Sequence, residues 1–274
     1  MTDSVTGTLV SKDGTRIAYE AIGNGPALVV VAGALGYKDF PYLRKFAAEF
    51  AKEFRVFSYD RRGRGGSTDT KPYTVQKEID DLAAVCREAG SSPIIVGISS
   101  GAALALEAAA AGAPMGRLVA FEPPYMLGNH RKPEHARFEV ELNRLVASGD
   151  RDGAVKLFMR TVGVPAFIIA IMSLFPFWKG LRKAAHTLPY DAAVMGGFEF
   201  PAARLAQIRV PTLVAGGSKS PESLKAAVRA VATAVPGATR VEIPKQSHAI
   251  KAAALLPFVR RFARDQGPLA ILHQ

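Results

Sequence analysis

The residues best suited to chemistry lie around Ser99, at the centre of the pentapeptide Gly-Ile-Ser-Ser-Gly at 97–101. An apolar run precedes this pentapeptide and a run of small residues follows it, which predicts a strand, a sharp turn and a helix. Gly97 and Gly101 leave room for such a turn, because a side chain at either position would crowd it. Backbone N–H groups at the start of the following helix can stabilise negative charge above the serine. The pattern therefore predicts a nucleophilic serine with an anion-stabilising site beside it.

The elements that must position this serine alternate between apolar strands and helical patterns. Buried strands separated by helices indicate an α/β fold, with a mainly parallel central sheet covered by helices on both faces. An antiparallel hairpin is predicted at one edge, where 8–10 and 16–21 flank Asp13-Gly14. The remaining strands are predicted at 27–32, 55–59, 93–96, 118–121, 212–215 and 239–243. Helices are predicted at 42–52, 75–88, 100–111, 223–235 and 252–264.

The alternation stops between about 126 and 200, where the pattern is helical. We therefore expect a core at 1–125 and 201–274, with a helical cap inserted at 126–200. The stretch 164–178 is strongly apolar, but Pro165 and Pro176 interrupt it, whereas a membrane span needs about 20 continuous apolar residues. A cap over the edge of the sheet would roof a cavity, and Phe167, Ile171 and Trp178 are its candidate substrate-binding residues. The alternative is that these side chains pack the cap against the core.

Composition excludes several classes of function. The net charge is +11, but the basic residues are dispersed, and we expect those at 61, 62 and 64 to belong to a solvated surface. Neither a nucleic acid nor a membrane is therefore expected as a partner, only a small-molecule substrate. No phosphate-binding or dinucleotide-binding glycine motif occurs and no histidine cluster has metal-ligand spacing, so no cofactor and no metal is implied. The single cysteine and the polar N-terminal segment favour a cytoplasmic location, and nothing indicates an oligomeric state.

Three further motifs accompany the serine pentapeptide in the chain: 31–36 (Val-Ala-Gly-Ala-Leu-Gly), 59–67 (Tyr-Asp-Arg-Arg-Gly-Arg-Gly-Gly-Ser) and 246–248 (Gln-Ser-His). In this order they resemble the α/β-hydrolase fold family over nearly the whole chain. The resemblance implies that Ser99 is the nucleophile and His248 the catalytic histidine. It also implies an oxyanion hole formed by the backbone N–H groups of Ala34 and Ser100. The family loop usually opens with His-Gly, and this one opens with Ala32-Gly33, a change that leaves the backbone donors in place.

The acidic member of the triad departs further from the family. The family commonly carries an aspartate after the strand that corresponds to 212–215, and Ser220 stands about there. Some members, certain haloalkane dehalogenases among them, carry the acid after the preceding strand, where this chain has Glu122. A carboxylate at the end of a buried strand is costly, which favours a role for it. Glu222 and Asp191 remain alternative candidates for the acid. A site without any acid is the third alternative.

These residues predict a serine hydrolase, carboxylesterase-like, that cleaves an ester, lactone or thioester bond of a mainly apolar small molecule through an acyl-enzyme. Two alternatives stay open. One is a non-hydrolytic enzyme of the same fold, such as a lyase, a perhydrolase or a cofactor-free oxygenase. The other is a ligand-binding protein that has lost turnover, which the departures at Ala32 and Ser220 would fit.

Overall fold

The computed structural model of this protein describes residues 4–90, 92–127, 133–196 and 200–264. Its centre is an eight-stranded sheet in the order β1-β2-β4-β3-β5-β6-β7-β8. β1 pairs antiparallel with β2 and β2 antiparallel with β4, and every other neighbouring pair is parallel. The predicted edge hairpin and mainly parallel sheet are therefore confirmed. The strands are β1 Ser4–Val10, β2 Arg16–Ile22, β3 Ala27–Val31, β4 Arg55–Tyr59, β5 Ile94–Ile98, β6 Arg117–Phe121, β7 Thr212–Gly217 and β8 Thr239–Ile243.

Five of the described helices cover the two faces of the sheet. Four of them have one apolar stripe that must be buried, and the fifth is buried on nearly all sides. The five are α1 Pro41–Phe50, α2 Val75–Ala89, α3 Ser100–Ala110, α10 Glu222–Ala234 and α11 Ala252–Ala263. Helices α2, α3 and α10 bury their apolar residues in one core cluster, and α1 and α11 bury theirs in a second. Helix α3 is buried along almost its whole length and consists mostly of alanine and leucine, so it packs close to the sheet.

The elements between β6 and β7 are helical in the described residues, and most of them share a third apolar cluster. The apolar stretch 164–178 is divided near its two prolines, since α6 begins after Pro165 and α7 begins after Pro176. Within the described ranges, no helix combines the length and the apolar character needed to cross a membrane. The helices are α4 Pro133–Ala147, α5 Arg151–Thr161, α6 Ala166–Met172, α7 Trp178–Ala184, α8 Leu188–Val194 and α9 Ala202–Leu205.

The sheet brings the candidate residues to one edge. Ser99 follows the last residue of β5, and Glu122 follows the last residue of β6, its neighbour in the sheet. His248 lies in the loop after β8. Because the carboxyl ends of parallel strands meet at the same edge, residues far apart in the chain become neighbours there.

Candidate active site

The turn at Ser99 is sharp and strained, as its sequence predicts. Ser99 has φ 57° and ψ −127°, a backbone conformation that non-glycine residues rarely adopt. The residues two positions before and after it are glycines because no side chain fits there. A Cβ on Gly97 would lie 2.6 Å from the Cα of Ala102, and a Cβ on Gly101 would lie 2.2 Å from the carbonyl oxygen of Val31. The surrounding backbone therefore determines how the serine is presented.

We expect Gly101→Ala to reduce the free energy of unfolding by about 2–3 kcal/mol, because its Cβ would overlap a backbone atom that cannot move aside cheaply. Gly112→Ala is the control: a Cβ there meets no atom within 4 Å, and only the left-handed φ of 77° opposes it, at a cost of about 1–2 kcal/mol. Urea unfolding of both variants measures the difference. Equal losses would contradict a steric origin.

A chain of hydrogen bonds joins Ser99, His248 and Glu122. Nε2 of His248 lies 3.1 Å from Oγ of Ser99, and Nδ1 of His248 lies 2.7 Å from Oε2 of Glu122. A charged carboxylate can only accept a hydrogen bond, so Nδ1 carries the hydrogen and the lone pair of Nε2 faces the serine. This is the arrangement in which a histidine can remove the proton of a serine hydroxyl.

Glu122 is completely buried, and its second oxygen is also bound. Oε1 accepts a hydrogen bond of 2.7 Å from the backbone N–H of Gly217, at the end of β7. Burial by itself would raise the pKa of the Glu122 carboxyl. The hydrogen bonds from His248 and Gly217 outweigh that effect and hold the pKa below its ordinary value. Glu122 is therefore charged at neutral pH. Its φ of 46° is a second strained position at this edge of the sheet.

The loop that carries His248 is tied to the loop after β7. The N–H of Lys219 donates to the carbonyl of Gln246, and the N–H of Lys245 donates to the hydroxyl of Ser218. Ser220 lies in the same loop, and its hydroxyl is buried without a hydrogen-bond partner in the described residues. It is close enough to Glu122 to contribute to the lowered pKa of that carboxyl. The position where the family commonly has its aspartate is thus occupied by a serine close to the carboxylate that contacts the histidine.

The two alternative acids lie elsewhere. Glu222 is exposed at the start of α10 and pairs with Arg229. Asp191 is buried in α8 and binds Arg61, Arg64 and the hydroxyl of Ser100. Of the three carboxylates considered from the sequence, Glu122 is the one that contacts His248.

The loop after β3 lies against the serine. A Cβ on Gly33 would come within 3.1 Å of the Cβ of Ser99. The next peptide N–H is that of Ala34, and Ser100 supplies the first N–H of α3. Neither of these two N–H groups donates a backbone hydrogen bond to another described residue. That these two groups stabilise an oxyanion stays a prediction.

The arginines of the 59–67 motif do not lie on a solvated surface, and that expectation is wrong for Arg61, Arg62 and Arg64. All three are about 1% exposed or less, and each pairs with buried carboxylates. Arg62 binds Asp81 through two nitrogens, and Arg61 binds Glu78 in the same way. Their partners lie outside the motif, on α2, on α8 and, for Arg62, also at Asp13, so the local sequence resembles an exposed basic loop. Asp60 fixes this loop by accepting from the N–H groups of Lys38 and Gly66.

The three candidate substrate-binding residues have different surroundings. Trp178 is buried in the apolar cluster of 126–200, and its Nε1 donates to Asp152 at 2.7 Å. Phe167 and Ile171 lie one helical turn apart on α6 and are 66% and 51% exposed. Their contact with a substrate stays a prediction. Over the described part of the chain, no group of three or more histidine, cysteine or acidic side chains could hold a metal ion.

Comparison with known proteins identifies relatives along most of the chain. A model of the "Alpha/beta hydrolase family" matches residues 28–262. The chain is 42% identical to an alpha/beta hydrolase from Sphaerobacter thermophilus, with a TM-score of 0.85 over 94% of this chain and 100% of that one. An enol-lactonase from Burkholderia xenovorans has a TM-score of 0.69 at 23% identity, over 94% of this chain and 100% of its own, which shows a common fold.

A further relative matches a shorter region. The proline iminopeptidase PfmaB of Pestalotiopsis fici is 33% identical to this chain over 101 residues. The match covers 35% of this chain and 36% of that protein. This chain thus spans about a third of that relative's length, so the likeness does not carry the relative's reaction over to it.

Proposed function

Since this chain belongs to the alpha/beta hydrolase family, we propose that it is a serine hydrolase acting on an ester, lactone or thioester bond of a mainly apolar small molecule. The observation that carries this proposal is the chain of hydrogen bonds from Ser99 through His248 to Glu122. It supplies a nucleophile, a base that can accept its proton, and a buried charge that orients the base.

The reaction begins when Oγ of Ser99 attacks the carbonyl carbon of the substrate and its proton moves to Nε2 of His248. The imidazolium that forms is stabilised by Glu122, which already accepts from Nδ1. The carbonyl oxygen becomes negative and accepts from the N–H groups of Ala34 and Ser100. Loss of one such donor typically reduces the rate by about 10²–10³-fold.

Collapse of this intermediate breaks the bond to the leaving group, which takes the proton from Nε2 and leaves the acyl group on Ser99. Water then attacks the acyl-enzyme, with His248 accepting its proton and returning one to Ser99. The apolar character of the substrate is proposed from the composition of the helical stretch. Residues 126–200 are rich in apolar side chains, and Phe167 and Ile171 are proposed to contact the apolar part of the substrate.

We expect the wild-type protein to hydrolyse members of a panel of 4-nitrophenyl esters, lactones and thioesters, and to be labelled at Ser99 by a fluorophosphonate. Labelling needs a serine that is activated by its base, so peptide mass spectrometry after reaction reports the geometry independently of the natural substrate. A folded protein that is not labelled at Ser99 would refute the proposed chemistry. Labelling without hydrolysis of any panel member would favour a non-hydrolytic reaction or ligand binding.

A further inference from the structure

Asp191 in α8 reaches both segments that carry the proposed oxyanion donors. Its Oδ1 accepts from the hydroxyl of Ser100 at 2.8 Å and from Nη1 of Arg61 at 2.7 Å. Its Oδ2 accepts from Nη2 of Arg64 at 2.7 Å. Asp191 and both arginines are about 1% exposed. Charged hydrogen bonds at such distances, without competing water, hold their donors in one geometry.

The first connection leads to the N–H of Ser100. Ser100 is the first residue of α3 and follows the strained Ser99 directly. Its side-chain hydroxyl donates to Asp191, so its backbone N–H is held at a fixed distance from that carboxylate. The side chain of Ser100 therefore anchors the residue to Asp191, while its backbone N–H is the proposed oxyanion donor.

The second connection leads through Arg64 to the N–H of Ala34. Nη1 of Arg64 donates to the carbonyl of Gly33 at 2.8 Å and to that of Gly36 at 3.3 Å. The carbonyl of Gly33 and the N–H of Ala34 belong to one planar trans peptide and point in opposite directions. When Arg64 fixes the carbonyl, it also fixes the direction of the N–H.

We propose that Asp191 is a positioning residue that aligns both oxyanion donors, Ser100 directly and Ala34 through Arg64. This inference rests on the proposed serine-hydrolase function. The charges fit it, since Arg61 and Arg64 are balanced by Asp191 and Glu78. Asp191 therefore adds no uncompensated negative charge near the oxyanion. Helix α8 belongs to the helical stretch between β6 and β7. The alignment of the oxyanion donors therefore depends on how that stretch packs against the sheet.

The test is Asp191→Asn, measured on the ester that the wild type hydrolyses fastest. An asparagine has one acceptor oxygen and one NH₂ group, which cannot accept from Ser100, Arg61 or Arg64. We expect kcat to fall by about 10- to 100-fold, with KM changed by less than about threefold, because alignment matters when the oxyanion forms.

A transition-state probe separates alignment from general destabilisation. A trifluoromethyl ketone accepts Oγ of Ser99 at its carbonyl carbon, the serine proton moves to His248, and the ketone oxygen becomes negative. The corresponding methyl ketone forms little of this adduct. We expect Asp191→Asn to weaken binding of the fluorinated ketone by about tenfold or more relative to the methyl ketone, in line with its loss of kcat.

Asp81→Asn is the matched control. Asp81 is also about 1% exposed and binds an arginine of the same motif through two hydrogen bonds, but that arginine, Arg62, contacts neither Gly33 nor Ser100. We expect both variants to melt at a lower temperature, and only Asp191→Asn to lose kcat. Equal kcat values for Asp191→Asn and wild type, or equal losses in the two variants, would overturn the inference.

Ser100→Ala tests the first connection alone and keeps the backbone N–H and the arginine pairs. We expect kcat to fall by about three- to tenfold. The double variant with Asp191→Asn should have the same kcat as Asp191→Asn alone, because both changes remove the same hydrogen bond. Fully additive losses in the double variant would overturn this connection. A wild-type kcat in Ser100→Ala would also overturn it, and this result can be obtained even if Asp191→Asn does not fold. Absence of hydrolysis and of ketone binding in the wild type would instead refute the proposed function, and the inference with it.

Discussion

Replacement of Ser99 by alanine should reduce kcat for ester hydrolysis by about 10⁴-fold or more, the largest effect expected of any single substitution in this chain. The alanine lacks the atom that attacks the carbonyl and lacks the proton that His248 accepts. In serine hydrolases whose nucleophile acts together with its base, loss of either group costs nearly as much as loss of the whole triad. The measurement is kcat in a steady-state assay, with enough variant protein to follow rates near the uncatalysed one.

The fold should survive this change, because Ser99 is only partly buried and alanine is the smaller residue. KM, or the dissociation constant of a bound ester, should therefore change little. Ser247→Ala serves as the control, since it removes an exposed serine hydroxyl from the histidine loop and leaves Ser99 in place. A Ser99→Ala protein with more than a tenth of the wild-type rate would show that another group is the nucleophile.

The fold could be predicted because its signals are local. Each strand from β3 to β7 is a short, mostly apolar run, and β8 alternates between buried and exposed residues. Four of the helices that cover the sheet have one apolar stripe, and α3 is apolar on nearly all sides. The spacing of apolar residues along a strand or a helix follows from backbone geometry and does not depend on distant residues. The serine turn was predictable for the same reason at Gly97, whose Cβ would meet Ala102 a few residues away. The restriction at Gly101 comes from Val31 on the neighbouring strand, so there the structure supplies a reason that the local sequence does not contain.

The buried arginines were not predictable in this way. Arg61 and Arg64 read as part of a basic surface loop, yet their charge is neutralised by Glu78 and Asp191, which come from α2 and α8. Long-range ion pairs leave no periodic pattern. The signal that could have revealed them is Asp191 itself, a carboxylate within an otherwise apolar helix, where an unpaired charge would be costly.

The second large effect is expected of Glu122→Gln, which should lower kcat by about 10²–10⁴-fold, the upper value being that of the corresponding change in serine proteases. The two oxygens of Glu122 both accept hydrogen bonds, one from Gly217 and one from His248. Glutamine offers only one acceptor at this place. If its oxygen stays on the N–H of Gly217, its NH₂ group faces Nδ1 of His248. The histidine must then carry its hydrogen on Nε2, where it cannot accept the proton of Ser99.

The imidazolium also loses its counter-charge in this variant, so both orientation and electrostatics are affected. We expect kcat to fall while KM changes little, since neither effect needs contact with the substrate. Glu222→Gln is the control, because that carboxylate is exposed and pairs with Arg229. Wild-type kcat in Glu122→Gln, with the fold intact, would show that the histidine is oriented by another group.

A carboxylate introduced at position 220, in the loop after β7, should restore part of the kcat that Glu122→Gln loses. Ser220 is buried close to Glu122 and stands where the family commonly has its aspartate. In the Glu122→Gln background, Ser220→Asp should raise kcat by about tenfold, because a carboxylate beside position 122 again favours the imidazolium of His248. In the wild-type background the same substitution should lower kcat, since two buried carboxylates would share one site and one of them would hold a proton. Ser220→Asp should thus raise kcat in the Glu122→Gln background and lower it in the wild-type background. This result is expected if His248 needs one buried negative charge, which can follow either β6 or β7.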